Sequence, residues 1–380
     1  YMQIMDEALL NSNNMSPIDW TSLNSIRDID GNVYDTDWID KAVDNGALTT
    51  SHSLAFTGGS KTSTYSISGG YTGQDGLIGG SDVSYYKRYN LRANSEHKMF
   101  NGLVTVGEHV GFVYKDSRGM NTGNIYNNNL RGAFTTSPLV PVYDANGNFN
   151  STESSDWNVN DGNPYGTMMM NRYNQSKSTS VDANVYVQIE PIKNLKFKTV
   201  FAVNYGGSDY RSYSPVYKFT PQSGNGITKV SQSDGSGISL VWTNTLTYDF
   251  NIKEHHINAL IGSETSKYDG SSSGSTGYGL TAGFNDWDHA YVKNTDQSSS
   301  DRTISGAPYN PTRGQSFFAR LGWSWKDRYM VNATMRADGS SKFARGNRWG
   351  YFPSVSAGWT LTEEKFMKST ASWLDFLKLR

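Results

Sequence analysis

Arg336, Asp338, Ser340 and Ser341 make the densest run of chemistry-bearing side chains in the sequence, RADGSS. A guanidinium two residues from a carboxylate, next to two hydroxyls, could hold a charged ligand. The same residues also read as a turn, in which Asp338 accepts backbone N–H groups and Gly339 takes a positive φ, and this structural reading is preferred. A second set is aromatic. Tyr126, Trp157, Tyr165, Tyr210, Tyr213, Tyr217, Trp287 and Tyr309 are spaced among Asn, Asp, Ser and Gly. Such rings can stack on the C–H faces of sugars while neighbouring amides and carboxylates hydrogen-bond to hydroxyls. The composition suits a peptide ligand, or loops packing on themselves or on a partner, equally well.

Other motifs carry less. DIDGN (28–32) and DANGN (144–148) resemble the start of a calcium loop. Both reach glycine too early for EF-hand spacing and lack the following glutamate, so turns are the better reading. His255 and His256 are adjacent in a tight turn, and strand neighbours point to opposite faces, which argues against a shared metal. No metal or cofactor is expected. There is no nucleophile elbow, no HExxH, no GxxxxGK[ST] and no Ser/His/Asp set at a telling spacing. No catalytic residue is nominated, and the expectation is a non-enzyme.

The elements that must position these residues are strands. The 380 residues carry a formal net charge of -1, which leaves no electrostatic footprint for nucleic acid. Mean hydropathy is -0.59, yet aromatics reach 13% with 24 Tyr, and there are 38 Gly. That combination suits a β-rich protein with long polar loops. Absence of cysteine excludes disulfides and thiol chemistry. No apolar run approaches the roughly 20 residues of a membrane helix, but barrel strands alternate and leave no hydropathy peak.

Residues 1–50 read as a connection with helical spacing at Tyr1–Asn11 and a short capped turn at Thr36–Ala42, TDWIDKA. Both chain ends look cut, so a fragment of a longer protein is expected. From residue 51 to 380, period-two alternation recurs in about eleven strands plus the start of another. Connections alternate between short and long, the long ones spanning 116–178 and 268–314. Tight turns fall at Pro191–Asn194, Ile252–His255 and Lys326–Arg328. One set of side chains can be assigned outward: Val181, Ala183, Val185, Val187 and Ile189, then Leu195, Phe197, Phe201 and Val203, then Trp242, Leu246, Tyr248 and Phe250. Trp323, Trp325 and Tyr329 suit an interfacial girdle. These features predict an all-β, antiparallel transmembrane β-barrel with long loops outside and short turns in the periplasm. A soluble all-β adhesin or glycan-binding module is the alternative; its apolar strand faces would pack on each other. A passive porin is a third reading.

RYMVNATMRADGSSKF (328–343), NRWGYFPSVSAGW (347–359), LTEEKF (361–366) and WLDFLKLR (373–380) resemble the barrel of SusC/RagA-type TonB-dependent transporters. TDW (36–38), SLAFTGGSKTSTYSISGGY (53–71) and KRYNLRAN (87–94) agree with this, in the family's order. The motif residues Arg336, Asp338, Gly339, Ser340, Ser341, Phe343, Trp349, Phe352 and Pro353 take structural roles by this resemblance. Ala337 departs from it, since a more polar residue is expected there. The resemblance implies about half of a 22-stranded outer-membrane barrel of a Gram-negative bacterium, importing oligosaccharides or oligopeptides. It also implies a SusD-like surface lipoprotein as lid, TonB acting through a segment outside this chain, surrounding outer-membrane lipid, and a homodimer of the transporter–lipoprotein pair.

Overall fold

The computed structural model describes residues 1–12, 16–120 and 129–380. Tyr126 lies outside the described residues. In chain order the strands are β1 (Thr49–Gly59), β2 (Ser63–Asp75), β3 (Tyr85–Met99), β4 (Val104–Arg118), β5 (Asn174–Ile192), β6 (Leu195–Ser214), β7 (Tyr217–Lys218), β8 (Gly224–Asn225), β9 (Lys229–Ile252), β10 (His255–Tyr278), β11 (Thr303–Trp325), β12 (Tyr329–Ser340), β13 (Trp349–Thr360) and β14 (Lys378–Leu379). β7 and β8 pair only with each other. Among the described residues the other twelve form one sheet in which strands adjacent in sequence are adjacent in space, all pairs antiparallel.

The connections sort by end. Residues 60–62, 100–103, 193–194, 253–254 and 326–328 close tight turns at one end. They draw on positive φ at Asn101, Asn194, Lys253, Lys326 and Asp327, a conformation that matches hairpin twist. Connections 76–84, 215–228, 279–302 and 341–348, and the described residues of 119–173, lie at the other end. Residues 361–377 break the pattern, a longer segment of 3-10 turns at the tight-turn end.

The strands run further than alternation predicts. β9 and β10 have 24 residues each, so the expected loop 268–314 shrinks to 279–302 and the expected loop 116–178 to 119–173. Apolar side chains give out along β10, but the backbone ladder continues through SSSGST (271–276) without them. Another correction concerns 338–340, expected as a turn. These residues are strand, Asp338 and Gly339 paired with Gly350 and Trp349 and Ser340 with Gly314, and Gly339 has no positive φ. Gly339 instead makes room for a ring. The Trp349 indole lies over it, 3.0 Å from where a Cβ would sit.

Register places every second residue on one face. Val185, Phe201, Trp242 and Thr265 line up across β5, β6, β9 and β10. Leu321, Ala333 and Val355 continue that face on β11–β13. Phe56, Phe201, Trp242, Ile261, Phe317, Leu321 and Val355 are all exposed, and among the described residues no second sheet covers them. A soluble sandwich needs such a cover; a membrane supplies it. Trp325, Tyr329 and Trp359 stack along the tight-turn edge of the belt. His52, Tyr71, Tyr89 and Tyr114 form a row along the opposite edge. Ala337 faces this apolar side, opposite Phe317 and Tyr351, which explains its departure from polarity. On β2–β4 the same face carries a self-satisfied polar patch of Ser63, Ser95, His97 and Glu108.

The opposite face is polar. Tyr186 donates to Glu96 at 2.6 Å, and its ring covers Gly107, where a Cβ would collide with the ring edge at Cε1. Gly107→Ala is therefore expected to push the ring off Glu96 at a cost of about 1–3 kcal/mol, read as a lower urea midpoint in vesicles.

Buried apolar clusters sit at the loop end. One joins Trp38 and Ala42 to Ala133, Val140 and Val142; the other joins Tyr213 and Val230 to Leu280, Ala290 and Val292. Residues 1–48 contain α1 (Met2–Asn11) and α2 (Trp38–Ala42). The Asp37 carboxylate caps α2 by accepting from the Ile39 and Asp40 N–H groups, as the sequence predicts. α3 (Gly80–Val83), α4 (Asn129–Thr135) and α5 (Pro164–Met170) lie in the loop-end connections.

Candidate functional site

Two regions hold the chemistry: the polar face of the sheet and the loop layer above it. On the polar face, the Arg336 Nε donates to both Asp338 carboxylate oxygens, at 2.8 and 3.0 Å. Its Nη2 donates to Ser316 Oγ at 3.2 Å and lies 3.8 Å from Glu264. Alternation puts residues 336 and 338 on one side, so the carboxylate meets the guanidinium rather than the backbone. Arg336 thus finds its carboxylate partner two residues along its own strand. Ser340 and Ser341 take no part in this cluster. Ser341 instead exchanges two hydrogen bonds with the Arg313 backbone, and Ser340 Oγ accepts from Lys342 N. Phe343 is exposed at the 341–348 tip. Phe352 lies opposite Arg336, and Pro353 faces outward opposite Met335.

The aromatic candidates separate. Trp157 packs on Trp20, centroids 4.8 Å apart, with its Nε1 buried and unpartnered by protein. Tyr165 is on α5 and packs against the Trp38 cluster. Tyr217 packs on Phe219. Tyr213 is buried, and Trp287 is stacked on Tyr173 with the Arg211 guanidinium 3.9 Å from its ring centre. Register puts Tyr213 on the outward side of the sheet, so this second cluster is a strap over the barrel's exterior. Tyr210 and Tyr309 keep exposed rings and fall on the polar side.

DIDGN and DANGN adopt one geometry. Asp28 and Asp144 each accept two backbone N–H bonds from within the motif, while Gly31 and Gly147 take φ of 86° and 83°. They are turns. His255 Nδ1 meets Trp323 Nε1 at 3.1 Å, whereas His256 turns the other way to Asn251 and Asp249. His255 already belongs to β10, not to the turn. Among the described residues no group of three metal-binding side chains converges.

Sequence reasoning missed two groups. Glu364 accepts from Trp359 Nε1 at 3.1 Å, from Arg328 Nη1 at 3.1 Å and from the Tyr329 hydroxyl. It pins residues 361–377 to the girdle; the LTEEKF motif was the available signal. Asp156 is the other, accepting from Asn24 N, Ser25 N and the Ser25 hydroxyl across 131–132 residues of sequence. The Ser25 hydroxyl first, then the Asn24 N–H, hold its carboxyl below the ordinary carboxylate range. A lowered folded-state pKa stabilises above the unfolded value of about 3.9 and is lost as pH falls through the folded one. Acidification below about pH 4 is therefore expected to speed hydrogen exchange at Asn24 and Ser25, corrected for intrinsic rate, and Asp156→Ala to remove that pH dependence.

Over 340 residues, 86% of this chain and 31% of the relative, the sequence is 28% identical to TonB-dependent receptor P26 of Formosa agariphila. It is 27% identical over 369 residues to TonB-dependent receptor SusC of Bacteroides thetaiotaomicron, covering 91% of this chain and 34% of SusC. In sequence this chain is thus similar to TonB-dependent receptors, SusC among them. The RagAB peptide importer in its open-open state superposes with a TM-score of 0.74 at 22% identity, over 96% of this chain and 38% of that one. That likeness shows the fold: this sheet is a partial barrel wall. No family model matches. The chain spans about a third of the length of the curated relatives it matches.

Proposed function

We propose that residues 51–380 form about half the wall of a 22-stranded, TonB-dependent outer-membrane importer of nutrient oligomers, with residues 1–50 a connection at its loop end. The observation that carries this reading is a 12-stranded sheet, among the described residues, with an exposed apolar belt on one face, polar and charged side chains on the other, and the longer connections mostly at one end. The SusC and RagAB likenesses support the same reading. In it the loop end faces outward and meets a SusD-like lipoprotein lid. Tyr210 and Tyr309 are the loop-end aromatics best placed to touch an oligosaccharide or oligopeptide, because the other described candidates are spent on packing. TonB acts through a segment outside this chain, and the transporter–lipoprotein pair forms a homodimer.

Extraction from native outer membranes in detergent, followed by mass spectrometry of what co-purifies, tests this. A stoichiometric surface lipoprotein is expected, together with bound sugar or peptide that Tyr210→Ala and Tyr309→Ala deplete. A protein that leaves the membrane without detergent and without a partner would overturn it.

A further inference from the structure

The outer face of β9–β12 departs from a plain lipid belt. A groove of about 610 Å³ opens there, walled by Phe197, Leu246, Phe317 and Met335 and floored by Ser263 and Ala319. It is an open depression between exposed side chains rather than an enclosed pocket. Short side chains between large ones create it, and it lies within the belt, where acyl chains are the solvent. Asn244 and Ser263 are directly opposed on this face, polar groups at hydrocarbon depth.

A polar ladder climbs from the groove toward the loop end on the same two strands. Two residues up, Thr265 Oγ1 donates to Gln315 Oε1 at 2.8 Å. Two further up, Lys267 Nζ and Arg313 Nη2 each lie 2.8 Å from the Asp269 carboxylate. That cluster holds two cations and one anion, all partly exposed. It sits where the β10–β11 register shifts between Tyr268 and Gly270, a bulge that re-aims side chains at a barrel rim. Lys267 is four residues above Ser263, so the groups are about 13 Å apart along the strand.

We propose that this face binds one phosphate-bearing acyl lipid of the leaflet at the loop end. An acyl chain fills the groove, the lipid's carbonyl or hydroxyl region meets Asn244, Ser263 and Gln315, and the phosphate meets Lys267 and Arg313. The order apolar, hydroxyl and amide, then cationic, along one line of the outer face is the order of groups along such a lipid. A generic annular lipid needs only the belt; the unbalanced cation pair directly above a depression is what selects a phosphate. The proposal rests on the outer-membrane placement of the sheet.

The test is native mass spectrometry of the detergent-purified protein after exchange with dioleoyl phosphatidate or dioleoylglycerol, which share acyl chains and differ in phosphate. One phosphatidate is expected to be retained, and dioleoylglycerol about tenfold less. The double variant Lys267→Gln/Arg313→Gln is expected to lose about tenfold in phosphatidate retention, and Ala319→Phe, which fills the groove, as much. Excess inorganic phosphate is expected not to displace the lipid. Heat-modified mobility of each variant reports whether its barrel has folded, and Lys267→Gln/Arg313→Gln changes only partly exposed side chains. Equal retention by wild type and both variants, equal retention of the two lipids, displacement by inorganic phosphate, or a protein occupying this face instead would each overturn the proposal. If the protein still inserts into vesicles in any of those cases, the barrel reading survives the loss of the lipid site.

Discussion

Val355→Arg is expected to destabilise the protein in a bilayer by about 2–4 kcal/mol, while Ser354→Arg, one residue away, changes stability by less than about 1 kcal/mol. Val355 is 74% exposed on the face shared with Leu321 and Ala333. If that face meets hydrocarbon, a guanidinium near the middle of β13 must be desolvated or must drag water and headgroups to it. Ser354 lies on the opposite face, across from Thr334, where water and polar side chains receive the charge. Urea unfolding in vesicles measures both. Equal effects of the two substitutions would mean that the exposed belt is not a lipid face, and the soluble alternative would return.

Trp38→Ala is expected to open the loop layer while leaving the barrel wall intact. Trp38 is 3% exposed, packs with Ala42, Ala133, Val140 and Val142, and donates Nε1–H to Ser137 O at 3.0 Å. Removing so large a buried ring costs about 3–5 kcal/mol, more than a small satellite cluster can absorb. Trp38→Phe keeps most of the packing and loses the hydrogen bond, so a smaller loss of about 1–2 kcal/mol is expected. Hydrogen exchange read by mass spectrometry should show faster exchange at residues 20–48 and 130–165 in Trp38→Ala, with β9 and β10 unchanged. Unchanged exchange in the loop layer would show that other contacts, such as Asp156 with Ser25, hold it unaided.

Much of the fold was legible because a barrel writes its two faces into the chain at period two. The outward set from Val181 to Ile189 and the alternation of Tyr329 with Met330 needed only that rule. The tight turns were legible too, since their polar residues interrupt the alternation at Lys193–Asn194 and Lys253–Glu254. Strand length was not. Above the lipid both faces are wet, apolar side chains are no longer selected, and SSSGST reads as loop although its backbone stays in the ladder.

Sequence alone determined the class, the strand order, which face is apolar and the family resemblance, because these depend on neighbours along the chain. Tertiary structure alone decided what the loop aromatics do. Trp287 stacks between Tyr173 and Arg211, and Tyr165 supports Trp38, partners that lie far away in sequence. It also decided that residues 338–340 continue a strand rather than turn, and that a groove and a cation pair share one line on the outer face. Those facts depend on register between strands, which is set by hydrogen bonds across the sheet and leaves no periodic trace in any single strand.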